Sequence, residues 1–198
     1  MIATGNVQAQ DSATGQPRKT WASMMLAGGG VTVAGPSGYC VDPSASHEGK
    51  KGAFVLLGSC ASLAGSSDRA SPQTAAILTA TTSPSGAGEA TLSGFFPTMA
   101  RFLQSDAGRK ALSRSGQART VTIQKIASVE DVMYVSVRDT ARAPGQDVET
   151  DYWRALFSLN GQIVTLSVLS LKTMPLDQTA KRALLERFVA RVKSASQS

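Results

Sequence analysis

The stretch YWRALFSL-NG-QIVTLSVLSL, residues 152–171, decides the fold. Two apolar-rich runs flank Asn160-Gly161. A type I′ turn needs positive φ at both central positions, which Asn and Gly adopt at least cost, so the stretch predicts a β-hairpin. At period two, Trp153, Ala155 and Phe157 share one side of the first strand, which marks that side as core. The other use of a tryptophan there, with Trp21, is a platform for sugar or peptide.

Downstream, Leu176, Ala180, Leu184, Phe188 and Val192 recur at helical spacing, with Arg182, Glu186 and Lys193 on the opposite side. Residues 176–192 therefore form an amphipathic helix that seals the core, with Phe188 nearly buried. Upstream, VTI (121–123) and VMYVSV (132–137) are strands joined through Glu130-Asp131. A polar loop, 143–151, containing Pro144-Gly145, leads into the hairpin. Asp147, Glu149 and Asp151 alternate within it and read as a solvated acidic loop, since the ligand order of a calcium loop is missing.

Helical character begins near Leu92. Phe95, Phe96, Met99, Phe102 and Leu103 make one apolar face, and Pro97 suits the first turn. Ser105-Asp106 caps a second helix through Leu112. Before this lie short strands at Met24-Met25-Leu26 and Val31-Thr32-Val33 around the glycine turn of Ala27-Gly28-Gly29-Gly30. That turn lacks the Gly-Lys-Ser/Thr of a phosphate loop. Tyr39-Cys40-Val41-Asp42 is extended, residues 44–52 are a polar loop holding His47, and AFVLLG (53–58) reads as a strand buried on both faces. AAILTATT (75–82) is a further strand, and 83–88 is a flexible break.

Strands, then helices, then two hairpins, then a long helix predict an α+β domain: a mostly antiparallel sheet with helices packed on it. The domain spans 20–198, behind a polar tail, 1–19. This element order over residues 30–195, above all the hairpin and closing helix of 152–192, resembles the PsbP-like family. That family includes photosystem accessory proteins and a nuclear-import factor that binds Ran. The resemblance implies an αβ sandwich and an accessory or binding role. It carries over no site residues.

The chain has 198 residues, 42% apolar, and a formal charge of +6. The surplus lies in two blocks around an acidic middle. One holds Arg101, Arg109, Lys110, Arg114 and Arg119; the other holds Lys172, Lys181, Arg182, Arg187, Arg191 and Lys193. If both helices cover one sheet face, Arg101, Arg109, Lys110, Arg114, Lys181, Arg182 and Lys193 form a shared basic surface for an anionic partner. The competing reading is two solvated helix faces. Nucleic acid is not expected, because the aromatics within these blocks, Phe102 and Phe188, fall on buried stripes.

The two cysteines, Cys40 and Cys60, each sit beside a strand and are expected to form a disulfide in an exported chain. Val7-Gln8-Ala9 has the spacing of a signal-peptidase site, so the expectation is cleavage after Ala9 of a leader that starts upstream, and a periplasmic or secreted protein. No apolar run reaches the length of a membrane span. Catalytic patterns are missing. Gly-x-Ser-x-Gly does not occur. Gly58-Ser59-Cys60 has only His47 for a base, and a disulfide removes the thiolate. One His and two Cys cannot complete a zinc site. No cofactor is called for.

The expected function is a non-enzymatic envelope accessory protein that binds an unknown protein or an anionic envelope component. The alternative is a hydrolase or sugar-binding enzyme whose carboxylates meet only in the fold. A deep pocket lined by two or more acidic residues would favour the alternative.

Overall fold

The computed structural model describes residues 19–26, 30–85, 92–141 and 147–197. The Val7-Gln8-Ala9 motif, most of the glycine turn and the Pro144-Gly145 loop lie outside the described residues.

Among the described residues, nine strands and four helices follow one another: β1 (Ser23–Met25), β2 (Thr32–Ala34), β3 (Tyr39–Gly49), β4 (Gly52–Ser59), α1 (Cys60–Ala64), β5 (Ala76–Pro84), α2 (Phe96–Gln104), α3 (Asp106–Leu112), β6 (Val121–Val129), β7 (Val132–Asp139), β8 (Val148–Leu159), β9 (Gln162–Leu171) and α4 (Gln178–Ala195). A 3₁₀ turn, Leu92–Phe95, leads into α2. β1 and β2 pair as a small separate sheet, and the other seven strands form one antiparallel sheet in the order β3-β4-β5-β9-β8-β7-β6. The fold is α+β.

The predicted hairpin is β8–β9, with Asn160 at φ 47° and Gly161 at φ 73°. Leu159 pairs with Gln162 across the turn. The two halves of the sheet, β3-β4-β5 and β9-β8-β7-β6, meet where β5 pairs with β9 from Ala76↔Ser170 to Pro84↔Gln162. That pairing is distant in sequence, and α2 and α3 bridge from β5 to β6.

The sheet is covered on both faces. On one, Leu57, Leu78, Trp153, Phe157 and Leu166 pack under Leu184, Phe188 and Val192 of α4 and Leu26, Val31 and Val33 of the small hairpin. Phe188 has no exposed surface. On the other, Met133, Val135, Val137, Tyr152 and Leu156 pack under Leu92, Phe96, Leu103 and Leu112. Alternate residues of β7 thus serve opposite cores, which is why VMYVSV is buried throughout.

Three local expectations change. Residues 44–49 are not loop but the second half of β3, pairing through His47↔Phe54 and Glu48↔Ala53. The register shifts between Asp42 and His47. Around this bulge Ser44 donates its N–H and hydroxyl to Asp42 Oδ1 at 2.9 and 2.6 Å, and the Ser46 hydroxyl accepts the Leu56 N–H at 3.1 Å. The polar run is extended because its side chains fill the irregularity, where Pro43 is also tolerated. β4 is not buried on both faces: Ala53, Val55 and Leu57 are buried, while Phe54 and Leu56 are half-covered. β8 starts at Val148, which takes Glu149 and Asp151 out of the solvated loop and onto a strand.

Cys40 and Cys60 are joined in a disulfide, with Cα atoms 4.9 Å apart. It ties β3 to the start of α1, where the Ser59 hydroxyl accepts the Ser62 N–H. No helix among the described residues is long and apolar enough to cross a membrane.

Candidate functional site

β6 is the last strand of the sheet, so its outer backbone edge meets no other strand among the described residues. Lys125, Ala127 and Val129 of β6 lie beside Ser136, Tyr134 and Val132 of β7 on the face that carries α4. α4 packs over β8 and β9 rather than over β6. Between helix and edge strand this leaves an open groove of about 740 Å³, lined among others by Lys125, Ala127, Val129, Trp153, Arg182 and Glu186.

The floor of the groove is fixed by a polar network. The Trp153 indole N–H donates to Gln178 Oε1 at 2.7 Å, and the Ser136 hydroxyl donates to Gln124 Oε1 at 2.9 Å. Gln124 reaches this position because it is the extra residue of a bulge, between Ile123↔Val137 and Lys125↔Ser136. The Arg182 guanidinium stacks on Tyr134, 3.4 Å from the ring centroid, and lies 5.2 Å from that of Trp153. Its Nε donates to Glu186 at 2.8 Å. Burial pushes the Tyr134 phenol above its ordinary range, with Arg182 opposing the rise. Val129, 52% exposed, forms an apolar lip.

These groups are an aromatic floor, two side-chain amides whose oxygens accept from the indole and the hydroxyl, and a cation held flat by stacking. Such a lining suits recognition. Glu186 is the single carboxylate among the groove residues, and Arg182 engages it. Three further clefts contain at most one acidic residue each. In one of them Tyr39 donates to the Thr74 carbonyl, and burial pushes its phenol up to about 12. His47 stacks on Phe54 at the β3 edge, at the far end of the sheet from the groove. Among the described residues no group of three or more His, Cys, Asp or Glu is placed to hold a metal ion.

The basic residues do not converge. Arg101, Arg109 and Lys110 ride on α2 and α3, whereas Arg182 and Lys193 ride on α4, across the sheet. The shared patch fails because the two helical segments cover opposite faces. Two of its members are not surface charges. Lys181 is 1% exposed: its ammonium lies 2.8 Å from Glu149 and donates to the Asp151 carbonyl at 3.0 Å. Arg114 bonds the buried Asp139, through its backbone N–H at 2.7 Å and its Nε at 3.3 Å. Phe102 departs from its predicted buried stripe in the opposite sense and is 46% exposed.

Of the groove residues, Trp153 and Arg182 were visible as a core tryptophan and a helix-surface cation. Gln124, Ser136 and Gln178 carried no signal, since their juxtaposition depends on a bulge and on where α4 begins. The fold and groove define an α+β sandwich with an open sheet edge beside a helix. Comparison with models of known families, with curated proteins and with solved structures finds no match.

Proposed function

We propose that this chain is a non-enzymatic accessory protein of the cell envelope that binds a protein partner along β6, in the groove under α4. The observation that carries the reading is the open β6 edge beside a groove of about 740 Å³. A strand added there would bond its backbone to β6 and send alternate side chains into the groove, the geometry of β-augmentation. Lys125 is the central residue of β6, so two copies paired antiparallel about it would set lysine against lysine. Like charges directly opposite are unfavourable, which selects a different chain with an acidic residue at that place.

The Cys40–Cys60 disulfide supports an oxidising compartment, and with it the periplasmic or secreted location. The element order supports the PsbP-like reading and its accessory role. A hydrolase or glycosidase reading would need a pair of carboxylates in one cleft.

A labelled peptide alternating Val and Thr around one central Glu tests the proposal. Its addition should slow backbone amide exchange over residues 121–129 and leave β3 unchanged. Lys125→Glu with Val129→Asp should weaken binding at least tenfold, as expected when an exposed apolar contact and a favourable charge pair are both lost. No protection in β6, or equal binding by the double variant, would refute the reading.

A further inference from the structure

We infer a second binding surface: the outer side of α2, with the basic residues beside it, docks on an anionic lipid bilayer. This inference is independent of the groove, which lies on the other face of the sheet.

The starting observation is two aromatic side chains that the fold does not use. Phe95 is 51% and Phe102 is 46% exposed, although Phe96 and Leu103, one position on from each, are buried and anchor the helix to the sheet. Phe95 and Phe102 are seven residues apart. Phe95 is the N-cap of α2 and Phe102 lies in its last turn, so the two rings mark the ends of the helix, about 10 Å apart along the axis. Thr98 lies between them, and Arg101 donates to its hydroxyl at 3.2 Å. The apolar arc of α2 therefore continues out of the core onto the surface and ends at a cation.

The charge of the segment that carries the arc is one-sided. Setting aside the buried Arg114–Asp139 pair, the segment from Leu92 to Thr120 carries Arg101, Arg109, Lys110 and Arg119 against the single carboxylate of Asp106, which Arg109 engages. Arg101, Lys110 and Arg119 are exposed. Exposed aromatics on a segment of net positive charge are what an interfacial helix offers to an anionic leaflet: the rings enter the acyl boundary while the cations stay among the head groups.

Area decides against a protein as the occupant. Two half-exposed phenylalanines offer about 200 Å² of apolar surface, on the usual size of the side chain. A stable protein interface buries about 800 Å² per partner, of which about 450 Å² is non-polar. A bilayer sets no such demand, because it adapts to the shape of what enters and attracts the surrounding charge over the Debye length.

The test is co-sedimentation of the intact, oxidised chain with vesicles of phosphatidylcholine, alone or with about one third phosphatidylglycerol to supply the negative surface potential. Binding should require the anionic lipid and fall steeply as salt rises. Phe95→Ser with Phe102→Ser should cut partitioning at least tenfold, since both rings lose the transfer they would gain. The melting temperature should stay close to wild type, because neither ring is in the core. Arg101→Gln with Lys110→Gln should cut partitioning by roughly fivefold for each cation removed. A Phe102→Trp variant supplies a second readout: its emission should shift to the blue with anionic vesicles and not with neutral ones. Equal binding to neutral vesicles, partitioning that ignores the phenylalanine pair, or an emission that stays unshifted in the Phe102→Trp variant would overturn the inference. So would displacement of the protein from vesicles by single-stranded DNA, because exposed rings among cations can also stack on bases.

Discussion

Replacing Lys181 separates a surface charge from a buried strut. Its ammonium pairs with Glu149 at 2.8 Å and donates to the Asp151 carbonyl at 3.0 Å, and the residue is 1% exposed. Glu149 in turn accepts the hydroxyl of the fully buried Ser170 and the Leu176 N–H. Lys181→Ala removes three buried methylenes, about 2.4 kcal/mol at 0.8 kcal/mol each. It also leaves the Asp151 carbonyl without its donor, roughly 1–1.5 kcal/mol. Relief of the desolvated ammonium and of a stiffened side chain returns part of this. The net expectation is a loss of about 2–3 kcal/mol, or a fall in melting temperature of roughly 4–12 °C for a chain of this size. Lys181→Met keeps the stem and deletes the charge, so it should lie within about 1.5 kcal/mol of wild type, as hydrophobic isosteres of buried ion pairs do. Urea unfolding followed by far-ultraviolet circular dichroism measures both. A Lys181→Ala variant within about 0.5 kcal/mol of wild type would show a solvated side chain and refute the packing of α4 on β8.

Acid dependence gives a second reading of buried charge at Asp139. Burial raises its pKa, but N–H groups of Arg114 and Ala141, the Thr120 hydroxyl and the Arg114 guanidinium outweigh burial and hold it below the ordinary 3.8. A group depressed in the folded state stabilises above its unfolded pKa, and that stability is lost as pH falls through the lower, folded value. Asp139→Asn should therefore flatten the acid limb of a stability–pH curve, and an unchanged limb would contradict the pairing; because it removes one partner of a buried pair, it should also cost about 3 kcal/mol at neutral pH. Phe188→Ala, at a site with no exposed surface, should cost about 3–5 kcal/mol in the same urea assay. Reducing Cys40–Cys60 reopens a loop of sequence separation 20 and should lower stability by about 3 kcal/mol. The denatured, unreduced chain should show no titratable thiol, and two thiols would refute the bond.

Local chemistry in the sequence determined the β8–β9 hairpin, the helix cap at Ser105, and the apolar side of α4. Each is settled within a few residues, by which side chains tolerate positive φ, accept an orphan N–H, or repeat at the helical period. The α+β class followed from the order of those pieces. What the tertiary structure alone decided is which surface each piece keeps. Lys181 reads as a surface cation by its charge, yet the helix settles that position over Glu149 and Asp151. The stretch 44–49 is polar, yet β4 offers it a strand to pair with. The basic blocks look like one surface in the chain, yet the β5–β9 pairing sets α2 and α3 on one face of the sheet and α4 on the other. The groove exists because α4 stops short of β6, and the aromatic arc on α2 because no element among the described residues packs over it. Both depend on which elements end up as neighbours. Neighbourhood is fixed by the summed burial of two cores and by pairings between distant residues, and neither is written in the local periodicity of any one segment.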